Sequence, residues 1–125
     1  MTRRTTTVAL VAAVAVVLWV LRDPAWLGGY RHGIHPDGWT GGRASFFVPS
    51  DAADTSFELG GHDQFTMQVS IYVDGTLAER FSQGPDWRTV TVPLAGRSTS
   101  RRHRRIDIHV ARAWGDPRKG VRIRF

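Results

Sequence analysis

The stretch Phe65-Thr66-Met67-Gln68-Val69-Ser70-Ile71-Tyr72-Val73 carries an apolar residue at every second position and runs directly into Asp74-Gly75. Strand side chains alternate between faces, so this period of two puts five apolar groups on one face of a β-strand. Asp-Gly supplies the positive φ that a tight reversal needs, and residues 76–81 return, so a hairpin is predicted. Two registers are open. A two-residue loop pairs Val73 with Thr76 and sets Arg80 opposite Val69 on the apolar face. A three-residue loop with Gly75 in the left-handed position pairs Tyr72 with Thr76, Ile71 with Leu77 and Met67 with Phe81, at the expense of turning Glu79 toward Val69. A one-residue slip moves every side chain to the other face. The second register buries Leu77 and Phe81, and it is the one expected.

The same alternation recurs on both sides of the hairpin. Residues 44–48 and 55–59 read as short strands, closed by Pro49-Ser50-Asp51 and Gly60-Gly61. Residues 88–94 place Val90, Val92 and Leu94 inward. Residues 104–113 place Ile106, Ile108 and Val110 on one face, with Asp107 and His109 on the other. Val121, Ile123 and Phe125 give a last inward face. Short strands with turn signals between them and no amphipathic helix predict an all-β protein, an antiparallel β-sandwich of jelly-roll type.

Before these strands the chain changes character twice. Residues 8–21 are an unbroken run of fourteen apolar residues behind Arg3 and Arg4. Thr5, Thr6 and Thr7 extend it to seventeen, about 25 Å of helix at roughly 1.5 Å per residue. This predicts an N-terminal transmembrane or signal helix over residues 1–22, and small residues suited to cleavage are missing around Val20-Leu21-Arg22. An uncleaved anchor is the reading taken, single-pass in the cytoplasmic membrane, with the two arginines inside and the C-terminal domain on the extracytoplasmic side. Trp19 and Trp26 suit an interfacial belt. Residues 23–42 hold six glycines and two prolines and read as a linker, with residues 30–35 as an irregular edge strand. Residues 43–125 are the domain proper.

Composition narrows the function. The chain has no cysteine, which excludes disulfides and thiolate metal sites. Its formal charge is +6, but Arg3, Arg4 and Arg22 flank the apolar segment, leaving fourteen basic against eleven acidic residues. A balance of about +3 does not argue for nucleic acid. Acidic residues are scattered through turns, with no carboxylate pair of the glycosidase kind. No nucleophile elbow and no Gly-rich loop opening a helix is present. His32, His35 and Asp37 share a glycine-rich stretch that does not favour a helix, so their spacing does not make a metal site. No cofactor and no enzymatic activity are expected.

Two features remain as candidate surfaces. Arg101, Arg102, Arg104 and Arg105, around His103, form a basic patch suited to anionic lipid or acidic polysaccharide, or else outward arginines that discourage edge pairing. Trp39, Trp87 and Trp114 lie at strand ends, where indoles stack on sugar rings or cap a core. Trp39 with Arg43, and Trp114 with Asp116 and Arg118, are the candidate ligand-binding groups.

The ordering of these features resembles a known group. Gly38-Trp39-Thr40 precedes Gly42-Arg43-Ala44-Ser45-Phe46, a Val-x-Ile-x-Val-Asp-Gly hairpin follows, Val90-Thr91-Val92-Pro93-Leu94 ends a strand, and Gly115-Asp116-Pro117-Arg118-Lys119-Gly120-Val121-Arg122-Ile123 closes the chain. Over residues 30–125 this resembles the compact jelly-roll accessory domains, similar to galactose-binding and carbohydrate-binding modules, of bacterial glycosyltransferase and surface-polysaccharide proteins. In that group the last motif reads Asp-x-Arg-x-Leu-Gly; here the Leu is missing. The resemblance implies a non-catalytic β-sandwich near cell-envelope polysaccharide assembly, with a glycan or a glycosyltransferase as partner. Two other expectations stand beside it: a structural or protein-interaction domain whose arginines meet an acidic partner or lipid headgroups, and a small hydrolase.

Overall fold

A computed structural model of the chain describes residues 3–21, 24–94, 101–111 and 120–125. They form a helix, α1 (Arg3–Leu21), a 3-10 turn (Ala25–Gly29) and the strands β1 (Arg31–Ile34), β2 (Thr40–Pro49), β3 (Asp54–Gly60), β4 (Met67–Val73), β5 (Thr76–Gln83), β6 (Arg88–Pro93), β7 (His103–Val110) and β8 (Arg122–Arg124). Among the described residues the strands make two antiparallel sheets, ordered β1-β2-β7-β4-β5 and β6-β3-β8. The sheets close on one core. Phe46, Val69, Ile71, Ile106 and Ile108 come from the first, and Phe57, Leu59, Val90, Val92 and Ile123 from the second. This is the β-sandwich that the alternating pattern predicts. Every connection from β2 onward switches sheets except the β4–β5 hairpin, and the strands divide five and three.

The hairpin corrects the expected register. Asp74 and Gly75 both take positive φ, 49° and 85°, so they form a two-residue turn and Val73 pairs with Thr76. Tyr72 then pairs with Leu77. A bulge between Ile71 and Tyr72 lets Ala78 loop out, after which Ile71 pairs with Glu79 and Val69 with Phe81. The tight turn satisfies the local chemistry, and the bulge resets the side-chain parity that the turn alone would leave wrong. Phe81 thereby reaches the core, while Leu77 stays exposed. Phe125 is a second correction: it is 54% exposed, because β8 ends at Arg124. Its ring lies edge-on to Phe46 at 5.0 Å with the Arg31 guanidinium 3.9 Å above it.

The last strand is locked by Thr40, which is fully buried. Its N–H donates to the Val121 carbonyl at 2.7 Å, its carbonyl accepts from Gly120, and its hydroxyl oxygen accepts from the Val121 N–H. A three-residue strand is too short to hold itself, so these bonds fix the chain end.

The helix forms where the apolar run predicts it, and every side chain from Arg3 to Leu18 is exposed. The expectation of a membrane-spanning helix is corrected: among the described residues no helix is long and apolar enough to cross a membrane. Residues 8–21 measure about 21 Å at 1.5 Å per residue, against a hydrocarbon core of about 30 Å. The first turns carry Arg3, Arg4 and three threonines instead. The Trp19 side chain lies outside the described residues; Trp26 is exposed, its ring edge-on to Tyr30 at 6.1 Å. The 3-10 turn sits at the end of the sandwich that holds the β4–β5 turn, with Gly28 against the His103 ring and Tyr30 6.2 Å from Phe47.

Candidate functional site

The outer face of the five-stranded sheet is built from residues that alternate with the core. In β7, Ile106, Ile108 and Val110 point inward, so Arg105, Asp107 and His109 point out. Pairing then lines up two rows across the strands. Arg43, His109, Ser70 and Arg80 form one, and His32, Ser45, Asp107, Tyr72 and Leu77 form the other. Between them opens a groove of about 520 Å³, lined by His32, Arg43, Ser45, Tyr72, Arg105, Asp107 and His109 with Gly75 at its margin. That volume suits a small ligand or part of a polymer.

Bonding fixes the floor of this groove. The Ser45 hydroxyl donates to Asp107 Oδ1 at 2.5 Å, and Arg105 Nε donates to Asp107 Oδ2 at 2.8 Å. Both carboxylate oxygens are thus engaged, and the aspartate charge is met by a guanidinium. Arg80 Nε donates to the Ser70 hydroxyl at 3.1 Å. The Tyr72 and His109 rings lie 4.6 Å apart at 42°. Among the described residues Arg43 has no carboxylate partner.

The outer face of the three-stranded sheet is different in kind. Trp39 bridges to Arg122, whose guanidinium lies 5.2 Å from the Trp39 ring and 4.9 Å from the Trp87 ring. Arg124 lies 4.2 Å from Trp87, and its Nε bonds to Glu58 Oε2. Trp87 lies flat on Gly60, where a β-carbon would stand 3.1 Å from the indole. Ring and cation therefore alternate from Trp39 to Arg124, with Arg122 between the two indoles and Arg124 on Trp87. The hydrogen bond from Arg124 holds the Glu58 carboxyl below its ordinary value, and Glu58 in turn raises Arg124.

The expected site residues disperse. Arg43 is in the groove, but Trp39 is on the other sheet, so the structure does not bring the two together. Trp114, Asp116 and Arg118 lie outside the described residues. The basic run splits by strand parity. Arg101 and Arg102 are exposed, while Arg105 faces out against Asp107. Arg104 is 4% exposed and corrects the reading of a continuous outward patch. It turns in because it shares the parity of Ile106 and Ile108, and Asp74 lies 3.7 Å from its Nη1. Asp74 also accepts the Arg105 N–H at 2.9 Å, which ties the hairpin turn to β7. Gln83 is likewise buried, its amide donating to the Leu59, Gly84 and Asp86 carbonyls.

His32 faces Ser45 across β1 and β2, and among the described residues no group of three or more His, Cys, Asp or Glu could hold a metal ion. The Ser45 hydroxyl donates to the Asp107 carboxylate and has no imidazole partner among the described residues. Tyr72, Asp107 and His109 were available to sequence reading as the polar partners of apolar strand positions, but only the pairing of β2, β4 and β7 makes them neighbours. No family model matches this chain, and no curated protein is significantly similar to it.

Proposed function

We propose that this protein is a non-catalytic glycan-binding module of the bacterial cell envelope, acting in or beside polysaccharide assembly, with the groove on the five-stranded sheet as its ligand surface. The observation that carries this reading is the pair of polar rows around Tyr72 and His109 on an open sheet face. A flat ring beside hydroxyl, imidazole and guanidinium donors offers a sugar both an apolar face to cover and hydroxyls to bond. The single carboxylate in the groove is bonded through both oxygens, to Ser45 and to Arg105. The resemblance to jelly-roll accessory domains of surface-polysaccharide proteins supports the same reading.

An extracytoplasmic location belongs to the same reading. From Val8 onward the helix is apolar, and its side chains through Leu18 are exposed, which suits an export signal. On this reading the sandwich lies on the extracytoplasmic side of the cytoplasmic membrane, delivered by a signal-type helix. Protease digestion of intact spheroplasts should degrade the domain; protection would reject this placement.

The test of function is a panel of envelope polysaccharides presented to the full-length protein in detergent. Binding is expected, and Tyr72→Ala should weaken it at least about tenfold while leaving the circular dichroism spectrum unchanged. Absence of binding to every member, or binding untouched by Tyr72→Ala, would reject the groove as its site.

A second reading has its own observation. Trp26, Tyr30 and Phe47 line up where the chain leaves the helix, and the exposed Arg101 and Arg102 flank the His103 that packs on the same 3-10 turn. Aromatic rings beside arginines suit a bilayer surface with anionic headgroups. This end of the sandwich then rests against lipid, or against an acidic partner held there, with the groove left to face outward.

A further inference from the structure

The two rows differ in charge; of one, Arg43 and His109 line the groove, and Ser70 and Arg80 continue the row across the sheet beyond that lining. The row through Asp107 is balanced, since Arg105 and Ser45 occupy both carboxylate oxygens. The row Arg43–His109–Ser70–Arg80 holds no carboxylate, and it has an arginine at each end. Arg80 keeps its guanidinium beside Ser70 through Nε alone, which leaves its outer N–H groups for a ligand. With neighbouring strands about 4.8 Å apart, β2 and β5 stand about 14 Å from each other across the sheet. That distance exceeds one sugar ring.

From this arrangement we infer that the groove takes a polyanionic glycan, lying across the strands, with successive acid groups on Arg43 and Arg80 and a sugar ring against Tyr72. The inference rests on the glycan-binding reading above and adds the substrate class. Guanidinium groups bind carboxylate and phosphate through paired donors, and both acids fit this row. A neutral glycan would leave both arginines facing solvent, so it uses only the Tyr72 half of the groove. A single acidic sugar reaches one arginine, so a chain binds better than a monomer.

The test is titration calorimetry on the full-length protein in zwitterionic detergent. The probes are oligogalacturonate, the same oligomer with its carboxyls reduced to alcohols, galacturonic acid, and poly(glycerol phosphate). Oligogalacturonate is expected to bind at least about tenfold more tightly than the reduced oligomer and than the monomer. Arg43→Gln and Arg80→Gln should each remove most of that advantage and leave the reduced oligomer unaffected. Binding of poly(glycerol phosphate), which has no sugar ring, in place of oligogalacturonate would show that the arginines take an anionic chain and not a glycan, and would overturn the inference. Equal affinity for the acidic and reduced oligomers, or an advantage that survives both substitutions, overturns the inference while the glycan-binding reading stands. If no probe binds, the inference falls, and the polysaccharide panel decides the glycan-binding reading by itself.

Discussion

The two outer faces of this sandwich use the same residue types to opposite ends. On the three-stranded sheet, arginine and tryptophan saturate one another: Arg122 lies between Trp39 and Trp87, and Arg124 is shared by Trp87 and Glu58. On the five-stranded sheet, Arg105 is held by Asp107, whereas Arg43 and Arg80 stand at the ends of a row with no carboxylate. The first face is closed on itself and contributes to stability. The second keeps cationic donors turned to solvent beside an open groove. A tryptophan cluster is therefore not enough to mark a binding surface; what counts is whether its faces are already occupied.

Substitutions can break this contrast, beginning beneath it. Ile71 and Ile108 are fully buried under the groove rows. Ile71→Ala should destabilise the fold by about 2–5 kcal/mol, measured by urea unfolding, and by itself says nothing of either face. Asp74→Ala comes next. It leaves Arg104 buried without its carboxylate and frees the Arg105 N–H. A loss of about 1–3 kcal/mol is expected, at the lower part of that range because Asp74 is itself partly solvated. A value near zero would mean that Arg104 finds solvent when released.

Trp87→Ala and Arg43→Gln form the crossed pair. Trp87 is 39% exposed and carries two guanidinium contacts, so its removal should cost about 1–2 kcal/mol in thermal unfolding and leave ligand affinity unchanged. Arg43→Gln should change stability by less than about 0.5 kcal/mol and reduce affinity instead. If Trp87→Ala lowers affinity, the division between the faces is wrong.

The smallest effect is a pH dependence. The bond from Arg124 lowers the Glu58 carboxyl from its ordinary value of 4.5, so the folded protein binds that proton less readily than the unfolded chain. The pair therefore adds its small stability above the ordinary value and loses it as the pH falls through the lowered one. Glu58→Gln should make the acid limb of the stability curve slightly shallower, and an unchanged limb would show the pair to be fully screened.

Much of this architecture is legible in the chain because alternation carries it. Val69, Ile71, Val90, Val92, Ile106 and Ile108 are all core residues, and their spacing says so. Even the inward turn of Arg104 is written there, since it shares the parity of Ile106; a block of basic residues hides it when read as a unit. The hairpin register was not legible. Turn chemistry and core parity ask for different pairings, and a bulge at Ala78 satisfies both, which neither simple register contains. The site was least legible of all. Trp39 meets Arg122 across 83 positions, and Arg43 meets His109 across 66, through strand order that no local pattern specifies.

The contrast between the faces is tested most directly by amide and indole chemical shifts of the full-length protein as oligogalacturonate is added. The shifts are expected at His32, Arg43, Tyr72, Arg80, Asp107 and His109, with the indole signals of Trp39 and Trp87 unmoved. Shifts concentrated at Trp39, Trp87 and Arg122, with the groove silent, would contradict the account.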